Sequence, residues 1–218
     1  APRGGFSRLT LGGPTPDMGR RGSLESLYLT VDGGWGELTL GRDTGVANRF
    51  YEGGRTVFSL ASSSDPILDP TGLITSRTRN DISSTAEKVS YTTPRILGVR
   101  AGVSVTPDAS VRRLDLTTNT NTMGVLEPEL GQVVEAGLQG SRLLRDADLR
   151  VRGSLTYSRA EIERAPYSDM DTVAFGFEVE RRDVFSLGIS GLNSSNGGLG
   201  DYTSLAIGGA YELGAWSL

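Results

Sequence analysis

Three features of the sequence predict an all-β chain folded as an antiparallel up-and-down transmembrane β-barrel. Side chains alternate with period two in runs of about ten residues, the length of a tilted membrane strand. Connections alternate between tight turns and long polar links. The faces opposite the apolar ones consist mostly of Ser, Thr, Gly and Ala, which suits a water-filled interior better than the dense mixed charge of a soluble surface.

The alternation runs along the whole chain. Leu27, Leu29 and Val31 form the first apolar face, and Val89, Tyr91 and Thr93 the next. They are followed by Val99, Ala101, Val103 and Val105, by Val134, Ala136 and Leu138, and by Leu149, Val151, Leu155 and Tyr157. The series ends with Val173, Phe175, Phe177 and Val179, then Phe185, Leu187 and Ile189, then Leu205, Ile207, Tyr211 and Leu213. No segment shows a convincing helical period. Tight turns are expected at Gly33-Gly34-Trp35-Gly36, Ile96-Leu97-Gly98, Arg145-Asp146-Ala147 and Arg181-Arg182-Asp183. Longer links are expected from Gly13 to Gly22, Thr44 to Thr85, Pro107 to Gly131, Glu163 to Asp169 and Asn193 to Asp201. Short turns on one side and longer loops on the other are the rhythm of an outer-membrane barrel. Tyr91, Tyr157, Tyr202 and Tyr211 are candidates for aromatic girdles at the membrane interfaces.

Composition narrows the function. The 218 residues include 30 Gly, no Cys and no His, with a formal net charge of -4. Without Cys there are no disulfides, thiolate nucleophiles or zinc-thiolate sites. Without His the commonest metal ligand and the usual general base near neutral pH are missing. The charge balance argues against nucleic acid as a partner. Lys88 is the only lysine and every other cation is Arg. No run reaches the roughly 18–20 apolar residues of a membrane helix. Asp146 with Asp148, and Asp169 with Asp171, lack the spacing of a calcium loop. Glu178 and Glu180 share one strand face, whereas glycoside hydrolysis requires carboxylates facing each other across a cleft. No enzyme, cofactor or metal site is expected.

Two segments carry a family resemblance. Trp35 to Gly45 (WGELTLGRDTG) resembles the hairpin that precedes the inward-folded third loop of Gram-negative general porins. Lys88 to Asp108 (KVSYTTPRILGVRAGVSVTPD) resembles the hairpin that follows that loop, particularly in alphaproteobacterial porins. The spacing between them matches the constriction loop. The resemblance is strong over residues 23–108 and elsewhere is a pattern of strands and turns. It implies a homotrimeric, roughly 16-stranded, water-filled barrel in the bacterial outer membrane. Its partners would be membrane lipids, ions and small hydrophilic solutes.

Residues 1–218 are accordingly expected to form one partial barrel domain of about ten strands, with residues 44–85 as the inward-folded constriction loop. The ending Trp216-Ser217-Leu218 lacks the family's closing aromatic, which suggests a fragment; a self-contained ten-stranded barrel is the alternative. Porin selectivity arises where acids and bases face each other across a narrow slot that focuses the field. The acidic loop side is assigned to Glu52, Asp65, Asp69 and Asp81, among loop cations Arg49, Arg55, Arg77 and Arg79. Glu52 corresponds to the family's loop-tip glutamate, and Gly53-Gly54 allows a bend beside it. The basic wall is assigned to Arg42, Lys88, Arg100, Arg150 and Arg152. Strict alternation groups Arg42 with Leu38 and Leu40, so a wall role needs a bulge or strand break at Gly41. The competing reading is a non-channel outer-membrane or surface β-protein with a structural or adhesive role.

Overall fold

The computed structural model describes residues 26–53, 78–113, 129–162, 167–182, 184–195, 197, 201–213 and 216–217. The strands are β1 (Leu27–Gly33), β2 (Gly36–Asp43), β3 (Ala86–Thr92), β4 (Val99–Thr106), β5 (Ala109–Arg113) and β6 (Glu129–Leu144). They continue with β7 (Leu149–Ile162), β8 (Met170–Arg181), β9 (Phe185–Ser194), β10 (Tyr202–Leu213) and β11 (Trp216–Ser217). A single helical turn, α1 (Val46–Arg49), follows β2. One turn is too short to leave a helical period in the sequence.

All strands join one antiparallel sheet in the order β1-β2-β3-β4-β6-β7-β8-β9-β10-β11. Among the described residues the sheet does not close on itself. β5 continues β4 against β6, keeping its register from Thr106 opposite Val133 to Ala109 opposite Leu130 and shifting before Arg113. Between them stands Pro107, which has no N–H to give to a ladder. The link expected from Pro107 to Gly131 is therefore shorter at both ends.

The connections follow the expected rhythm. Leu97 (φ 53°) and Gly98 (φ 89°) form a two-residue hairpin turn closed by paired hydrogen bonds between Ile96 and Val99, the turn type whose twist matches antiparallel strands. A 3-10 turn at Arg145–Ala147 joins β6 to β7 and ends on Asp148 at φ 49°, a conformation Asp tolerates. The link 44–85 separates β2 from β3, and 163–169 separates β7 from β8, as the sequence indicates. The link expected from Gly13 to Gly22 lies outside the described residues.

The two faces of the sheet are inverted relative to a soluble protein. Val103, Val134, Leu138, Leu155, Phe175, Phe177, Leu187 and Leu205 are exposed, and Ile207 is 76% exposed. Lys88 and Glu135, on the other face, are only 3% and 1% exposed. Each large apolar side chain left in water forfeits roughly 1.5–3 kcal/mol, so the bare face requires an apolar surrounding. The polar face is covered by residues 45–53 and 78–84 of the β2–β3 link. A small apolar cluster of Ile82, Ala109, Leu130, Val133, Ala160 and Met170 seats the returning end of that link.

Aromatic residues mark the short-turn edge. Trp35 stacks on Tyr91 with centroids 6.0 Å apart, and the Tyr91 hydroxyl donates to the Trp35 carbonyl at 2.6 Å. Tyr211 lies opposite Phe185 near the same edge. Tyr157 is on the bare face and donates to Asp171. Tyr202 departs from the expected girdle: its register with Ser194 places it on the covered side.

Candidate functional site

The β2–β3 link crosses the polar face strand by strand, and the side chains beneath it are small. The Val46 N–H donates to Ser104 Oγ on β4 at 3.0 Å. Phe50 is fully buried over Gly102 and Gly137, which lie opposite each other on β4 and β6. A Cβ on either glycine would stand 2.9 or 3.0 Å from the Phe50 ring. The Arg100 guanidinium lies 4.8 Å above the same ring, within cation–π range. The Tyr51 hydroxyl bonds with Thr78 Oγ1 at 3.1 Å and with Ser190 Oγ of β9 at 3.2 Å. The Glu52 N–H donates to Ser154 Oγ of β7 at 3.2 Å, and its carbonyl rests on Gly176 of β8. Gly53, at φ +80°, passes close to the Ile189 carbonyl.

Charged groups gather where Glu52 meets the wall. Gln139 donates to Glu52 Oε1 at 2.6 Å and accepts from Arg100 Nε at 2.6 Å. Arg152 reaches Glu52 at 3.9 Å and Glu178 at 3.5 Å, and it also pairs with Glu180. One guanidinium thus serves three carboxylates. Arg49, on α1, pairs with Glu37 at 2.6 Å. Asp81, in the returning end of the link, accepts from Asn48 at 2.8 Å. Arg79 lies 4.8 Å above the Tyr51 ring.

Of the expected basic wall, Lys88, Arg100, Arg150 and Arg152 fall on the covered face. Arg150 is exposed near the short-turn end, opposite Glu180. Arg42 is the correction. Pairing runs without interruption through Gly41 on both sides, so no bulge reverses the alternation. Arg42 therefore shares the bare face with Leu38 and Leu40, opposite Leu27 and Glu87. Of the expected acids, Glu52 and Asp81 lie at the crossing; Asp65 and Asp69, like Arg55 and Arg77, lie outside the described residues. The wall also supplies acids that the sequence reading did not assign to the passage: Glu37 and Glu135, and Glu178 and Glu180, which it had placed together on one strand face. Alternation placed Glu135 on the polar face, but only cross-strand register brings it under the link.

Burial holds the Glu52 carboxyl above its ordinary range, outweighing the opposing pull of Arg152 and the Gln139 hydrogen bond. A folded-state pKa raised above the unfolded one means that folding favours the protonated acid, so stability is gained as pH falls through that pKa. Relative to Glu52→Gln, the wild type should gain stability as pH falls from neutral towards the ordinary glutamate range. Urea midpoints at several pH values check this. A relative loss of stability on acidification would instead show that Arg152 dominates.

The profile of the Gram-negative porin family matches residues 7–218. No curated protein is significantly similar to the chain. Among solved structures, the chain resembles the loop L8 deletion mutant of OmpT, an outer membrane protein of Vibrio cholerae. The two are 12% identical with a TM-score of 0.45, covering 88% of this chain and 70% of that one. In-vitro folded OmpT of Vibrio cholerae gives 11% identity and a TM-score of 0.46, covering 88% of this chain and 66% of that one. The anion-selective porin from Comamonas acidovorans gives 14% identity and a TM-score of 0.40, covering 88% of this chain and 63% of that one. With the family profile spanning nearly its whole length, and with an up-and-down sheet bare and apolar on one face, the chain belongs to the Gram-negative porins, the channel family of the bacterial outer membrane.

Proposed function

We propose that this chain forms the wall and constriction of a passive diffusion channel for ions and small hydrophilic solutes. In this reading the bare apolar face meets lipid and neighbouring subunits of a homotrimer, and the polar face borders water. Residues 44–85 fold inward and narrow the passage. The observation that carries the reading is the crossing of residues 45–53 over the polar faces of β4 to β9, on the side away from the apolar surface. Ser and Thr beneath the crossing hold it by hydrogen bonds, and glycines there let the backbone approach closely. A loop lying over the outer surface would have no reason to use those positions.

The charges supply the rest. Glu52, Glu178 and Glu180 gather around Arg152 on the β7–β8 side, while Arg100 and Arg49 stand on the β4 side. Solutes passing such a site are sorted by charge and hydrated size, with no bond made or broken. Full-length protein reconstituted into planar bilayers is expected to give discrete ohmic conductance steps. Detergent-folded, membrane-inserted protein that never gives a step would sink the channel reading.

A further inference from the structure

Both ends of the β2–β3 link converge on one buried carboxylate. Glu135 of β6 is 1% exposed. Its Oε2 accepts from Ser104 Oγ at 2.6 Å, and that hydroxyl accepts from the Val46 N–H at 3.0 Å, where the link leaves β2. Its Oε1 accepts from Ser83 Oγ at 2.9 Å, where the link returns towards β3. Lys88 of β3 donates to Ser83 Oγ at 2.8 Å and to the Ser84 carbonyl at 2.6 Å. The carboxylate presses so closely on Gly45 that a Cβ there would overlap Oε2. The hydroxyl chain thus joins β3, β4 and β6 to the departing and the returning ends of one link.

The geometry points to Glu135 as a positioning residue that clamps both ends of the 44–85 segment to the barrel wall and so keeps the passage at a fixed width. Most of its face consists of Ser, Thr and Gly, which need no charge partner. A buried carboxylate has a desolvation cost of several kcal/mol unless it is paired and hydrogen-bonded. Ser83 ties this one directly to the returning end of the link and on to Lys88, and Ser104 ties it through the Val46 N–H to the departing end. Backbone pairing of β6 with β4 and β7 does not involve the side chain, so removing it frees the link without unzipping the sheet. The inference rests on the channel reading above.

The test is single-channel recording from full-length wild type, Glu135→Ala and Glu135→Gln in planar bilayers. Glu135→Ala is expected to conduct with several-fold greater open-channel noise and frequent brief closures. Glu135→Gln keeps the volume but has one acceptor oxygen instead of two, and is expected to fall between the others. A purely structural role would lower heat stability without this ordering of noise. Should Glu135→Ala fail to assemble, Ser83→Ala cuts only the returning tether and is expected to show the same excess noise. Steps with wild-type noise in Glu135→Ala, or in Ser83→Ala if that variant is the one recorded, overturn the clamp and leave the channel reading standing. A wild type that gives no steps overturns the channel reading and the clamp together.

Discussion

Gly176→Val is expected to drive the link off the wall and raise single-channel conductance several-fold. A Cβ at Gly176 would overlap the Glu52 carbonyl oxygen and stand 2.6 Å from its carbon. Both are backbone atoms, so no side-chain rotation relieves the overlap. The sheet is held at this point by continuous pairing of β8 with β7 and β9, which leaves the link as the part that moves. Lifting it breaks the Glu52 N–H bond to Ser154 and the Gln139 bond to Glu52, each worth roughly 0.5–1.5 kcal/mol net. The crossing then loses its seat on β7 and β8 while Phe50 still covers Gly102 and Gly137. Gly153→Ala is the control: it lies one strand away, and its Cβ would meet nothing closer than 3.7 Å. Its conductance should match the wild type. Equal conductance in Gly176→Val would show that residues 50–53 do not narrow the path.

Gly41→Ala is expected to destabilise the wall strongly for a single added methyl. Gly41 sits at φ +123° in the middle of β2, a region that L side chains rarely enter. Its Cβ would also stand 2.5 Å from the Leu27 carbonyl oxygen and 2.9 Å from Tyr28 Cα on β1. The backbone strain costs roughly 1–3 kcal/mol, and forcing the two strands apart costs roughly a further 1–3 kcal/mol. The loss should appear as a lower urea midpoint in refolding assays in lipid vesicles. Gly34→Ala should be silent, because nothing lies within 4 Å of the position its Cβ would take. A Gly41→Ala midpoint equal to the wild type would contradict the assigned backbone of β2.

The strands were legible because a sheet with lipid on one face and polar groups on the other alternates cleanly along nearly every strand, from Leu27 to Tyr211. The turns were legible because Gly98 and Asp148 occupy positions with positive φ. Alternation rightly placed Arg42 beside Leu38 and Leu40; the family resemblance drew it to the wall, and the bulge required to turn it inward is not there. Elsewhere the missing information was register. Expecting acids on the loop and bases on the wall left Glu135 out of the passage, and with it Glu178 and Glu180, although these two were seen to share one strand face. Their neighbours lie on other strands, and only the pairings Ser104–Glu135 and Arg152–Glu178 disclose them. The glycine seat of Phe50 was hidden for the same reason, since Gly102 and Gly137 are opposite in space and distant in sequence.

The absence of cysteine gives a direct measurement of the crossing. Glu52→Cys would introduce the only thiol in the chain, so a charged, water-soluble thiol reagent added to an open channel reports on that position alone. If residues 45–53 lie in the conducting path, the reagent lowers the single-channel current of Glu52→Cys stepwise and leaves the wild type unchanged. Complete modification of the introduced thiol, verified by mass, with no change in current would contradict the placement of the link in the passage.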